Sequence, residues 1–217
     1  MQELDVTFNE SENSGFKPIL QGEYPAHITG FTSRAIKTKA GDATVFNLMF
    51  TASEEVYKLE QTVYEMDGYN IATDDNGHQV IVKDKDGKAM KTDCGFLKGR
   101  EFRDNGYFCF TEKEGSSKNG RYFNLLTSLD IELAEIEVDG VTHKKLALIE
   151  EADVLGKPCT VRIQQQEYVT HETRDLPEAE QEKRKSWKVF TVKPWDTNKF
   201  GKAVAIPLEE LEADVPF

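Results

Sequence analysis

The sequence predicts a mainly β fold with minor α content, on three observations: short runs alternating apolar and polar residues, turn pairs such as Asp67-Gly68, Asn76-Gly77 and Asp86-Gly87 between them, and one longer stretch with helical spacing. Residues 1–17 are polar, with isolated Leu4, Val6, Phe8 and Phe16, and read as an N-terminal arm. From Gly22 to Phe31, Tyr24, Ala26 and Ile28 share one face of a strand, and Gly30 permits a bulge or a tight bend. A turn-rich Lys37–Asp42 leads into the strand Thr44–Phe50, where Phe46 and Phe50 are the expected core residues. Val56–Tyr64 sets Tyr57, Leu59 and Val63 against Lys58, Glu60 and Thr62, which would complete a three-stranded antiparallel meander.

The turn signals between residues 67 and 93 surround the short run Gln79–Val82 and predict a hairpin inserted into the sheet. Tyr107–Thr111 is a further strand, Gly115–Gly120 a loop, and Tyr122, Leu125, Leu126, Leu129 and Leu133 stripe one amphipathic helix. Ile136–Val141 predicts a small hairpin about Asp139-Gly140, and residues 146–155 a short helix stopped by Gly156. Cys159, Val161 and Ile163 point inward from the next strand, with Thr160, Arg162 and Gln164 outward. Trp187–Lys193 supplies the last strand, with Phe190 expected in the core. Five strands interrupted by helical material are the inventory of an OB-fold-like five-stranded Greek-key barrel with hairpin and helical insertions. The expected body spans residues 18–197, followed by a short linker and acidic tail over 198–217.

A chain of 217 residues is long enough to bury a sizeable core. No apolar run approaches the roughly 18 to 20 residues needed to span a bilayer, and Met1–Phe8 lacks the basic and apolar regions of a secretory signal, so a cytoplasmic protein with no membrane partner is expected. Three widely spaced cysteines, Cys94, Cys109 and Cys159, argue against a disulfide framework and read as small core residues. The four histidines lie far apart, so neither a metal site nor a cofactor is expected. Against 39 Asp and Glu stand 27 Lys and Arg, a net charge of −12 that opposes nucleic-acid binding if spread evenly. It is not spread evenly: the first dozen residues, Glu178–Glu182 and the tail carry much of it, which leaves room for a cationic groove on an acidic protein.

A single-strand binder needs aromatic faces for bases and cations along a phosphate path. Candidates near the first turn are Phe31, Arg34, Lys37 and Lys39, and Tyr57 stands on the expected third strand. Lys98, Arg100 and Arg103 form a basic stretch, Arg121 and Tyr122 border the loop, and the last strand offers Lys188, Lys193 and Trp195. Trp195 can either support a base or pack at the rim. An enzyme reading would pair Asp74 or Asp75 with Asp86-Gly-Lys88 and Gln164-x-x-x-Tyr168 in a metal-dependent nuclease. The spacing places those carboxylates in turns and the Gln on a strand, and no phosphate loop, dinucleotide fingerprint or nucleophile elbow occurs, so no catalytic residue is assigned.

The C-terminus sets Glu209, Glu210, Glu212 and Asp214 ahead of Val215, Pro216 and Phe217. A terminal Phe puts an apolar ring and a free carboxylate on one residue, which suits a pocket with an apolar floor and a basic rim. At Asp214-Val215-Pro216-Phe217 the chain resembles the acidic tip of the bacterial and bacteriophage single-stranded DNA-binding proteins. The resemblance implies an OB-fold protein that coats single-stranded DNA in replication, recombination or repair and recruits partner proteins through Asp214, Val215, Pro216 and Phe217. The family's typical long Gly/Gln/Pro-rich linker is missing, because strand-like sequence runs almost to Pro194. That departure favours a phage-encoded variant, acting in the host cytoplasm as a monomer or homodimer rather than a tetramer. The alternative is an adaptor or inhibitor that engages a host replication or repair protein with the same tip and binds no DNA. A basic face on the folded body separates the two.

Overall fold

The computed structural model describes residues 17–67, 70–111 and 118–213, with side chains to residue 211. The expected arm over 1–17 is therefore described only at Lys17, and the tip residues Asp214, Val215, Pro216 and Phe217 lie outside the described residues. Two long strands, β1 (Gly22–Thr38) and β2 (Gly41–Ala52), form an antiparallel hairpin. Gly41 closes its turn at φ +115°, a conformation side chains disfavour. The pairing slips between Ile28 and Gly30, the expected bulge, and this bends β1 so that one strand can serve both the barrel and a protruding arm.

The barrel closes through three more strands: β7 (Glu101–Arg103), β11 (Pro158–Val169) and β12 (Lys183–Lys193). β2 pairs β7, β7 pairs β12, β12 pairs β11 and β11 returns to β1, so the chain-order strands run first, second, third, fifth, fourth and back to the first. This is a closed five-stranded OB-fold-like barrel. Its weakest seam is the parallel pairing of β7 with β12, a single residue pair, Arg103 opposite Lys188. β8 (Tyr107–Phe110) adds a sixth strand against the outer half of β2.

The third barrel strand differs from the expected one. Val56–Tyr64 is not a long strand: Glu54–Lys58 forms a 3-10 helix that buries Val56 and leaves Tyr57 59% exposed. Ser53 is anchored by its N–H to the Pro25 carbonyl, which ends β2 and starts the turn. Only β3 (Glu60–Thr62) extends, pairing with β6 (Lys91–Asp93) at the base of the inserted hairpin, which also contains β4 (Met66–Asp67) and β5 (Asn70–Ile71). The true third strand has one inward side chain, Phe102, too little for alternation to reveal.

Inside the barrel lie Ala26, Ile28, Phe46, Leu48, Phe50, Phe102, Val161, Ile163 and Val189. The helix α1 (Gly120–Ser128) covers one end with Tyr122, Leu125 and Leu126, and the Tyr122 ring stacks on Phe46 at 5.0 Å. It stops earlier than the apolar stripe predicts: Asp130 takes φ +53° and the Ile131 N–H turns back to the Leu126 carbonyl. Leu129 still reaches the core from that turn. Cys94, Cys109 and Cys159 are all buried and unpaired, and burial pushes their thiols up. Thr160, expected outside, is buried.

A small hairpin, β9 (Glu135–Val138) with β10 (Val141–Lys144), projects from the body, and the short helix α2 (Glu151–Val154) leads to Gly156. A Cβ on Gly156 would stand 2.0 Å from the Ile206 carbonyl oxygen, because the C-terminal segment is laid directly on this backbone. Asn198–Pro207, expected as a linker, is thus docked. α3 (Thr197–Phe200) buries Phe200, His27 Nε2 lies 2.8 Å from the Val204 carbonyl, and the Ile206 N–H donates to the Gly156 carbonyl. The last described element is α4 (Leu208–Ala213). Among the described residues no helix is long and apolar enough to cross a membrane.

Candidate nucleic-acid interface

A short parallel seam leaves the sheet partly open between β7 and β12, and a cleft of about 250 Å³ forms there. Asn105, Arg121 and Lys188 line one part, and Gln164, Gln165, Gln166, Val189 and Phe190 the rest. The Asn105 side-chain amide donates to Gln166 Oε1 at 2.6 Å and ties the turn after β7 to the β11–β12 hairpin.

Phe190 does not point into the core. In the β11–β12 register Arg162 faces Thr191 and Ile163 faces Val189, which leaves Phe190 as an extra residue. The bulge lets Val189 and Val192 both turn inward and puts Phe190 on the outside, 58% exposed. The sequence signal was present: Val189 and Val192 are apolar at a spacing of three, which strict alternation cannot bury together.

Arg121, on the exposed side of α1, holds its guanidinium carbon 4.7 Å from the centre of the Tyr107 ring. Beneath it Asp104 is buried, accepting the Gly106 N–H at 2.7 Å and the Leu48 N–H at 3.1 Å. Burial pushes its carboxyl up, opposed by those two N–H bonds and by the charges of Arg121 and Lys188. Burial and the charge of Asp104 also push the Tyr107 phenol up. Asp104 is therefore the pin that holds the β7–β8 turn on β2.

Arg121 and Lys188, two of the expected cations, line this cleft, and a third, Arg103, stands opposite Lys188 in the β7–β12 register. Arg34, Lys37 and Lys39 lie exposed along the β1–β2 arm and its turn, where Arg34 faces Val45 and Lys37 faces Asp42. None of these six forms an ion pair with a described residue. Phe31, on the same arm, is half-buried and packs on Phe46 at 6.0 Å.

Other expected residues are placed elsewhere or already engaged. Tyr122 cannot offer its ring to a base: it is fully buried, donating its hydroxyl to the Ala147 carbonyl and accepting the Ile149 N–H. Tyr57, Lys98 and Arg100 stand by the two 3-10 turns around Glu54–Lys58 and Gly95–Leu97, none of them lining the cleft, and Lys98 pairs with Glu54. Lys193 is paired with Glu23 at 2.5 Å. Trp195 packs at the rim, its Nε1–H donating to the Gly201 carbonyl at 2.9 Å and its ring meeting Phe200 edge-on at 5.6 Å.

The nuclease constellation is dispersed. Asp86-Gly87-Lys88 is a hairpin turn in which Asp84 accepts the N–H groups of Asp86 and Lys88, while Gln164 and Tyr168 lie on β11. Among the described residues no three His, Cys, Asp or Glu side chains gather to hold a metal ion. No family model, curated protein or solved structure matches the chain.

Proposed function

We propose that this protein binds single-stranded DNA, coating exposed strands during replication, recombination or repair, and recruits partner proteins through its acidic tip Asp214–Phe217. The observation that carries the reading is Phe190, lifted out of the core by a bulge onto the outer face of an OB-fold-like barrel, in a cleft it shares with Lys188 and Arg121, with Arg103 opposite Lys188 in register. Barrels of this topology bind oligonucleotides on the face of their second and third strands, between the loops joining strands one to two and four to five. Here those strands are β2 and β7, and those loops are the β1–β2 turn with Lys37 and Lys39 and the end of the long β11–β12 hairpin.

An exposed Phe offers a face to any unpaired base, and the surrounding cations neutralise its flanking phosphates. Asn105, Gln164, Gln165 and Gln166 carry amides that both donate and accept, so they meet any base edge without selecting one. The net charge of −12 disfavours non-specific duplex binding, which depends on phosphate neutralisation without stacking.

The test is a salt titration of oligo(dT), oligo(rU) and duplex binding, read by anisotropy and by the fluorescence of Trp187, half-buried on β12. Single strands should bind more tightly than duplex, with a log-log salt slope of roughly −0.7 per phosphate neutralised. Arg103→Glu with Lys188→Glu should weaken binding and flatten that slope while leaving the fold intact. No saturable binding at low salt, together with capture of a replication or repair protein by the tip, would replace this reading with that of an adaptor.

A further inference from the structure

The Phe190 cleft does not account for a pair of outward aromatic rings on β8. In β8, Tyr107 and Cys109 point into the core, while Phe108 and Phe110 occupy the alternate positions that a strand with one solvated face fills with polar residues. Their rings lie 6.4 Å apart and 20° from parallel, half-buried, and with Thr38, Lys118 and Arg121 they line a shallow cleft of about 290 Å³. Lys118 Nζ stands 5.9 Å from the centre of the Phe110 ring. Arg121 lines this cleft and the Phe190 cleft alike.

Building on the reading above, we infer that β8 carries a second base-stacking subsite, and that a single strand runs from Phe190 past Arg121 onto Phe108 and Phe110. The barrel closes without β8, so these rings are not needed to complete it. The rim of the cleft is cationic, from Lys118 and Arg121, with no carboxylate among its described lining residues, which fits a phosphate backbone. Continuity through Arg121 joins the two platforms: one guanidinium placed between stacked bases neutralises the phosphate that links them.

This makes affinity depend on length in two stages. In the full-length protein, an oligo(dT) series from the shortest binding length upward should show Phe110→Ala and Lys118→Glu matching wild type on short strands. On strands long enough to reach β8, Phe110→Ala should bind about tenfold more weakly, and Lys118→Glu should lower the salt slope by about 0.7, the loss of one phosphate contact. Lys118 is exposed, so its variant tests the path even if Phe110→Ala lowers stability. If wild type binds and depends on Phe190, but both β8 variants match it at every length, the inference fails while the proposed function stands. Unchanged oligonucleotide affinity with weakened capture of a peptide ending Asp-Val-Pro-Phe would assign the platform to the tip and likewise overturn it. If wild type binds no oligonucleotide, both readings fall together.

Discussion

Phe190 with Lys188 and Trp195 with Lys193 are nearly the same signal in the sequence, an aromatic ring beside a lysine at the end of one strand, yet they have opposite fates. Around Trp195 the interactions are satisfied internally: Nε1–H is bonded to the Gly201 carbonyl, the ring meets buried Phe200 edge-on with its centre 5.9 Å from that of the His27 ring, and Lys193 pairs with Glu23. Around Phe190 they are left open, with the ring 58% exposed and Lys188 facing Arg103 across the seam. Two like charges on adjacent strands are unfavourable unless something negative comes between them. The difference teaches that an aromatic and a cation together do not identify a binding site. What singles out Phe190 and Lys188 as the candidate is that, among the described residues, Phe190 stacks on no other ring and Lys188 forms no ion pair.

The largest effect that would sharpen this contrast is on stability. Phe200→Ala should destabilise the protein by roughly 3 to 5 kcal/mol, as deletion of a buried aromatic ring does, in urea unfolding, with single-strand affinity kept in the folded protein. Equal losses of affinity in Phe200→Ala and Phe190→Ala would break the comparison. Next comes a reciprocal pair. Phe190→Ala should cost about 1 to 3 kcal/mol of oligo(dT) affinity at an unchanged melting temperature, whereas Trp195→Ala should lower the melting temperature and leave affinity near wild type.

The smallest effect is a pH dependence at Asp104, the buried carboxylate in the turn beside the cleft. The Asp104 carboxyl titrates above its ordinary value of 3.8 because it is buried. The folded state therefore holds that proton more tightly than the unfolded state, so the contribution to stability is full below the ordinary value and is lost as pH rises through the raised one. Urea unfolding across the acid range should show the stability difference between wild type and Asp104→Asn changing only in that window. A constant difference would mean that the two N–H bonds and the neighbouring cations cancel the effect of burial.

From the residues alone, the β class, an irregularity at Gly30, the turns at Asn76-Gly77 and Asp86-Gly87 in an inserted hairpin region, the hairpin about Asp139-Gly140, and a core containing Phe46, Phe50, Cys159, Val161 and Ile163 were all legible. These are local: turn chemistry and period-two alternation act over a few neighbouring residues and need no distant partner. The tertiary structure alone decided the third barrel strand, since Glu101–Arg103 is a strand only because β2 and β12 lie on either side of it. It also decided the fates of the aromatics, because the Phe190 bulge is set by register against β11 and the burial of Tyr122 by packing on Phe46. Composition and spacing named most of the cations, but that Arg103 would stand opposite Lys188 depended on a seam between strands 85 residues apart. Contacts at that separation leave no periodic trace in either segment, so no local pattern could have announced the cleft.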